Sequence, residues 1–477
     1  MEEKQRLRIP RLHFLTREKM EMIHGATLAV LKGTGILVKD PKALEILKEA
    51  GCNVDGERVR IPSSLVENAL KNAVPRILMT DRSGRPALTL EGDKVWFGTG
   101  SDTPHVIDPY SGQRRRTVLK DIENVSRLVD ALPELSFVMC SGIASDVNPE
   151  IADIHHFLAM VSLTEKPIVF TSWNPANLTT IVEMASIVAG GEDRLRANPF
   201  IVLYTEPVSP LILGRESTQK LIFMAERSLP VVFAPGMITG ATGPVTLAGG
   251  IVQANAEILA GYVLANLVRP GTPFIYGGSG EPMDMSAMLM SYAAPESMLV
   301  VSALTDMSKY YGLPSFGYAG CSDSNLYDQQ ASLESALWIL VASLNGANLV
   351  HDVGYINNGL TTSLEQIVVS AEVAGSVRRI AGGIDVDEET MALDLIAEVG
   401  PGGEYLTSEH TLRHFRDNWF PRLISRDPYE KWEQKGRKDL GNRANEFVRR
   451  ILQNHEPRPL AGGIADELRR IVRARDR

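Results

Sequence analysis

Ile201-Val202-Leu203-Tyr204-Thr205-Glu206-Pro207-Val208-Ser209-Pro210-Leu211 is the stretch on which the fold reading turns. An apolar, β-favouring run ends in a carboxylate and a proline-stiffened loop. Comparable runs stand at Val95–Phe97, Phe137–Met139, Ile168–Phe170, Val231–Phe233, Phe274–Tyr276, Ser315–Tyr318 and Leu349–Val350. Most are followed by Gly, Pro, Ser or Asn and then by an amphipathic helical stretch. The interval is about 30–45 residues, the length of one strand-plus-helix unit. The runs are nearly all apolar, as strands buried on both faces must be. Eight such units predict a closed (β/α)8 barrel, with an open doubly wound sheet as the alternative. No Gly-x-Gly-x-x-Gly opens a helix after the first strand. Gly278-Ser279-Gly280 is only a fragment of one, and no P-loop is present.

On the N-terminal side, Thr16-Arg17-Glu18-Lys19 opens a helical pattern that Gly33 and Gly35 stop. Asp40–Ala50 and Pro62–Ala73 repeat it, and Arg76–Thr99 turns to short β-rich runs. After Glu365 the chain reads helical to its basic end, which we take as a solvated helix terminus. The expected division is an N-terminal helical and β-hairpin extension over 1–92, the barrel over 93–375 and C-terminal helices over 376–477.

Composition narrows the function classes. The chain has 477 residues, 44% hydrophobic and 22% charged, enough for a sizeable core. A net charge of -9 disfavours general nucleic-acid binding. No run of about 18 uncharged apolar residues stands out as a membrane span. Cys52, Cys140 and Cys321 are far apart and odd in number, which excludes a disulfide scaffold and fits a reducing cytoplasm. The N-terminus, MEEKQRLRIPRLHFL, has no apolar core of a secretory signal.

In such a barrel the chemistry lies on loops after the strands. Here those loops are rich in glycine and small residues, which admit a flat ligand or a partner's backbone. Aromatic residues gather at the same ends: Trp96, Phe97, Trp173, Tyr204, Phe233, Tyr276 and Tyr318, with Tyr327 and Tyr355 just beyond. Rings in that position either fill the barrel or form a cage for a quaternary ammonium, worth about 0.5–2 kcal/mol per ring. Glu206, Asp323, Asp328, His351 and Asp352 are the polar loop groups able to act. Metal signals are weak. His155 and His156 are adjacent and cannot share a helix face. His410 and His414, with Glu409 beside them, have helical ligand spacing but no recognisable third ligand, so no metal is expected. Cys321 reads as a buried thiol rather than a nucleophile.

These motifs together resemble the trimethylamine methyltransferase family over nearly the whole length. They are Gly51-Cys52-Asn53-Val54-Asp55, Val59-Arg60-Ile61-Pro62, Glu206 to Leu211, Ser322-Asp323-Ser324, Asp328-Gln329-Gln330-Ala331 and His351-Asp352-Val353-Gly354-Tyr355. His410 to Phe415, Trp419 and Trp432 complete the resemblance. It implies a (β/α)8 barrel that passes a methyl group to a corrinoid (cobalamin) carried by a partner protein. The trimethylamine enzymes carry pyrrolysine in the loop between the Ser322-Asp323 and Asp328-Gln329 motifs. This chain has only the ordinary twenty residue types, and Asn325 or Leu326 takes that place.

The departure has a chemical meaning. A tertiary amine is a poor methyl donor until its nitrogen is made cationic. A quaternary amine is already charged and leaves as a neutral tertiary amine. Members lacking pyrrolysine use quaternary amines such as glycine betaine, and the resemblance implies that donor class here. Expected catalytic groups are Glu206, Asp323 and His351. Expected substrate walls are Phe97, Trp173, Tyr204, Tyr276 and Tyr355, and Gly278 and Gly320 are expected to face the corrinoid. A cytoplasmic homo-oligomer is expected. The competing readings are a non-catalytic quaternary-amine-binding subunit and a barrel lyase or aldolase, though no strand-end lysine supplies a Schiff base.

Overall fold

A computed structural model of the chain describes residues 11–476, so the first part of the N-terminal stretch read for a leader lies outside the described residues. Eight strands stand at the eight apolar runs: β1 (Trp96–Gly98), β2 (Leu135–Phe137), β3 (Ile168–Phe170), β4 (Ile201–Thr205), β5 (Val231–Phe233), β6 (Phe274–Gly277), β7 (Ser315–Tyr318) and β8 (Leu349–His351). They pair in parallel in the order β3-β4-β5-β6-β7-β8-β1-β2. A parallel bridge between Val138 and Ile168 joins the two ends. The sheet is therefore the expected closed barrel and not the open doubly wound alternative. One principal helix follows each strand: α1 (Leu119–Ala131), α2 (Ala152–Leu163), α3 (Pro175–Ala189), α4 (Arg215–Arg227), α5 (Leu247–Val268), α6 (Pro295–Tyr310), α7 (Gln329–Asn345) and α8 (Leu364–Ala381).

Side chains alternate along each strand, and this parity sorts the core into two. Phe137, Val169, Val202, Val232, Ile275, Phe316 and Leu349 point into the barrel. Phe97, Ile168, Phe170, Ile201, Leu203, Val231, Phe233, Phe274 and Tyr276 belong to the larger core that includes the helix layer. A hairpin of Ile77–Thr80 and Pro86–Leu90 closes the bottom, adding Met79, Leu88 and Leu90 to the interior. Trp96 Nε1 donates to Thr89 O at 2.9 Å, and Asn348 Nδ2 donates to Lys94 O at 2.9 Å, fixing the hairpin to the starts of β1 and β8.

The N-terminal helices are capped where the sequence indicates. Thr16 Oγ1 accepts from Lys19 N, and Asp40 Oδ1 accepts from Ala43 N at 2.9 Å. They lie against α5, where Asn255 Nδ2 donates to Thr27 Oγ1 at 2.9 Å and Tyr262 OH to Ala69 O at 3.1 Å. α5, although interrupted by a charged residue, is long and apolar enough to cross a membrane, and 78% of its most apolar window is buried inside the protein. It is a core helix with one interior carboxylate, Glu257. That group accepts from Leu211 N at 2.8 Å and from the Ser209 hydroxyl at 2.7 Å, so it anchors the loop after β4. All three cysteines are unpaired and buried.

The hairpin plug yields a stability prediction. Leu90 is fully buried. Leu90→Ala should destabilise the chain by about 2–5 kcal/mol through lost burial and a residual cavity. Thermal melting checks it; an unchanged midpoint would mean the hairpin is no part of the core.

Candidate active site

At the C-terminal ends of the strands the inward-pointing positions change from apolar to polar. Val202, Tyr204 and Glu206 continue one face of β4, so a tyrosine and a carboxylate reach the mouth together. The same parity brings Phe316 and Tyr318 from β7 and His351 from β8. Between β6 and α6 the chain makes an excursion through strands Ser279–Asp284 and Leu289–Met290. It brings in Glu281 and Tyr292. Two adjoining lobes result, of about 220 and 470 Å³, which share Tyr204, Glu206, Met290, Tyr292 and His351. A larger cavity of about 870 Å³ lies at the opposite end, between the hairpin plug, Trp96 and Arg378. It lacks a comparable convergence of rings and carboxylates.

Rings line the smaller lobe. His351 stacks on Phe316 with centroids 4.3 Å apart, and Tyr204 lies 5.2 Å from Phe316. Tyr292 and Tyr318 approach to 4.8 Å. Three carboxylates each accept from a tyrosine hydroxyl. Tyr204 OH donates to Glu206 Oε1. Tyr318 OH donates to Glu281 Oε1 at 2.7 Å, and Tyr292 OH to Asp352 Oδ2 at 2.6 Å. Burial holds all three phenols well above their ordinary range, so they stay protonated donors. A fourth carboxylate, Asp102, accepts from the Thr171 hydroxyl at 3.3 Å.

The chamber is short of positive charge. Glu206 is open to it, but the walls strip its bulk solvent, and desolvation pushes its pKa up to about 7 against the opposing Tyr204 hydrogen bond. Asp102 and Glu281 are raised for the same first reason. Lys220 is the lone lysine on either lobe among the described residues; desolvation lowers its pKa, and Nζ donates to Ser172 O at 2.6 Å. His351 Nδ1 lies 2.6 Å from Asp352 Oδ1 without an aligned hydrogen bond.

Backbone geometry holds the acids in place. Asp102 and Asp352 have φ of 66° and 70°, in the left-handed region. A Cβ on Gly100 would lie 2.1 Å from Asp352 Oδ1 and 2.4 Å from the Tyr355 ring, so only glycine lets the two loops close on each other.

Of the expected site residues, Glu206, His351, Tyr204, Tyr355 and Gly278 line the chamber. Others do not. Phe97 and Tyr276 have outward parity: Phe97 packs in the helix-side core, and Tyr276 OH donates to Asn255 Oδ1 at 2.7 Å on α5. Trp173 is 68% exposed and lines neither lobe. Asp323 is turned away, accepting from Tyr292 N at 2.7 Å, Ala293 N at 3.2 Å and the Ser291 hydroxyl. It fixes the segment that carries Tyr292. Gly320 is buried with φ of 79°, and a Cβ there would meet Val353 at 3.1 Å, so it serves packing rather than an open face. Asn325 accepts from Asn357 Nδ2, and Leu326 is 62% exposed; neither lines the chamber.

The sequence does not single out Glu281 or Tyr292, because an excursion interrupts the strand–helix rhythm there, and nothing in it distinguishes Asp102 within its loop or Phe316 within its apolar run. Away from the barrel, Glu389 supplies the third group beside His410 and His414, with donor atoms within 4.8 Å of one another. Arg413 Nη1 lies 3.0 Å from Glu389 Oε1 and already counters that carboxylate.

Comparison with known proteins agrees with this architecture. The family described as Trimethylamine methyltransferase (MTTB) matches residues 2–477. Trimethylamine methyltransferase MttB of Desulfitobacterium hafniense is 34% identical over 95% of this chain and 92% of its own length. Glycine betaine methyltransferase of the same species is 31% identical over 98% of each chain. The crystal structure of Methanosarcina barkeri monomethylamine methyltransferase superposes with a TM-score of 0.54 at 12% identity, covering 93% of this chain and 88% of that one, a likeness of fold. The chain is a methyltransferase and belongs to the trimethylamine methyltransferase family.

Proposed function

We propose that the chain takes a methyl group from a quaternary amine in the cytoplasm and delivers it to Co(I) of a corrinoid on a partner protein. The observation that carries this reading is the aromatic chamber with four carboxylates at its walls against one lysine and one histidine among the described residues. A tetraalkylammonium has no N–H, so hydrogen bonds cannot hold its head. Ring faces and nearby anions are what remain. The corrinoid supplies the nucleophile. Its approach is favoured by the small residues among the lining of the smaller lobe: Ala234, Gly236, Gly278, Ser279 and Gly317.

The protein's own tasks are then to orient one N–CH3 bond towards the open face and to exclude water. Tyr204, Phe316, Tyr318, Tyr292 and His351 are suited to hold the head, with Glu206 as the adjacent anion. The positive charge disappears as the methyl leaves, so excessive ground-state stabilisation would slow transfer. Glu206 eases this problem. With its pKa raised to about 7 it is only partly ionised near neutral pH, so it stabilises the bound cation less than a full carboxylate would. The glycine betaine enzyme among the relatives also supports a quaternary donor, as does the lack of pyrrolysine. A binding subunit would share the cage without turning over. A lyase would want a Schiff-base lysine, and Lys220 is instead engaged at Ser172 O.

Three outcomes are expected. With Co(I) cobalamin as acceptor and the visible spectrum as readout, quaternary amines are demethylated and trimethylamine is not; faster turnover of trimethylamine contradicts the reading. Tyr204→Leu or Phe316→Leu weakens binding of a quaternary amine by about 1–2 kcal/mol, roughly five- to thirtyfold, whereas Trp173→Leu leaves it unchanged. Calorimetry distinguishes these from a charge pair, in which only Glu206→Gln would matter.

The third outcome is a pH dependence. Glu206 titrates near 7 in the free protein, facing Tyr204, Asp102, His351, Glu281, Asp352 and Lys220. A bound cation favours its ionised form and lowers its pKa, while the quaternary head itself does not titrate. Affinity should therefore be full above about pH 7 and fall as pH drops through it, by up to about tenfold per unit. Glu206→Gln should flatten that profile; a slope that survives would assign the proton elsewhere.

A further inference from the structure

We infer that the donor is a quaternary ammonium without an anionic tail, a tetraalkylammonium or choline-type cation rather than a betaine. This rests on the methyl-donor reading above and narrows it. The two lobes are lined by four carboxylates, Asp102, Glu206, Glu281 and Asp352, against one ammonium and one imidazole. Among the described residues no arginine lines either lobe. A betaine's carboxylate is tethered a few bonds from its nitrogen, so it would have to sit in the same chamber as the head.

Both basic groups already sit beside a carbonyl or carboxylates of the chain. Lys220 Nζ is buried and donates to Ser172 O at 2.6 Å. It also feels the negative charges of Glu216, Asp153, Asp102 and Glu206. His351 is stacked flat on Phe316 with Asp352 Oδ1 2.6 Å from Nδ1. An anion beside either would meet carboxylates already in place, and like charges brought together in a poorly solvated site repel strongly. A hydroxyl or alkyl tail meets no such penalty. The larger lobe offers Ser101, Thr171, Thr205, Ser217 and Asn358 to a neutral polar tail.

The test uses the full chain, calorimetric binding and methyl transfer to Co(I) cobalamin with tetramethylammonium, choline, glycine betaine and trimethylamine. The two cations without an anionic tail, tetramethylammonium and choline, should bind about ten- to a hundredfold more tightly than glycine betaine and be demethylated in preference. Asp102→Asn with Glu206→Gln should close the gap by weakening the cations and relieving the betaine. Lys220→Met should not single out glycine betaine. If the parent binds glycine betaine as tightly as choline, and Lys220→Met removes the betaine alone, the inference is overturned while the quaternary-donor reading stands. If no quaternary amine is bound or demethylated, that reading falls and this one with it.

Discussion

Four carboxylates set into the mouth of a barrel against one ammonium and one imidazole are the constraint from which the rest of the site follows. An ionised acid removed from water must be hydrogen-bonded, paired or protonated. Here the donors are phenols. Tyr204, Tyr318 and Tyr292 each give a hydroxyl to one acid, and the bonds that satisfy Glu206, Glu281 and Asp352 also set the ring orientations around the smaller lobe. Cage and anions are thus one hydrogen-bonded construction. Desolvation raises the pKa of Glu206, Asp102 and Glu281, which lowers the cost of keeping them in that mouth.

The scaffold serves that construction from outside the chamber. Asp323 gathers two backbone amides and a serine hydroxyl at 291–293, which holds Tyr292 over the mouth. Glu257, buried on the otherwise apolar α5, ties the loop that begins at Glu206. Gly100 gives room for Asp352 and Tyr355 to approach the loop after β1. These groups touch no cavity, yet each positions one that does. The proposed substrate, with its fixed positive charge, would complete the balance that the protein leaves open.

The barrel was legible because strands buried on both faces are written as apolar runs, and all eight runs became strands. The site was legible only where strand parity and charge coincided, as in Tyr204 with Glu206. Proximity to a strand end was the weaker guide. Phe97 and Tyr276 sit there but point to the helices, since one residue of register decides the face. Trp173 lies past the strand on an exposed turn. Glu281 and Tyr292 come from an excursion between β6 and α6, and no periodicity in the sequence indicates which way such a segment folds back. Gly320 reads like an open loop glycine, whereas its left-handed backbone and the nearness of Val353 make it a packing residue.

The central claim is that the tyrosine-held acids form a receptor for a fixed cation at the strand C-termini. A crystal structure with tetramethylammonium bound tests it most directly. The account predicts the nitrogen within about 6 Å of the Tyr204 and Phe316 ring centroids, beside Glu206. A cation seated in the cavity at the hairpin end, or one held at the mouth by acids with no ring face near it, would contradict it.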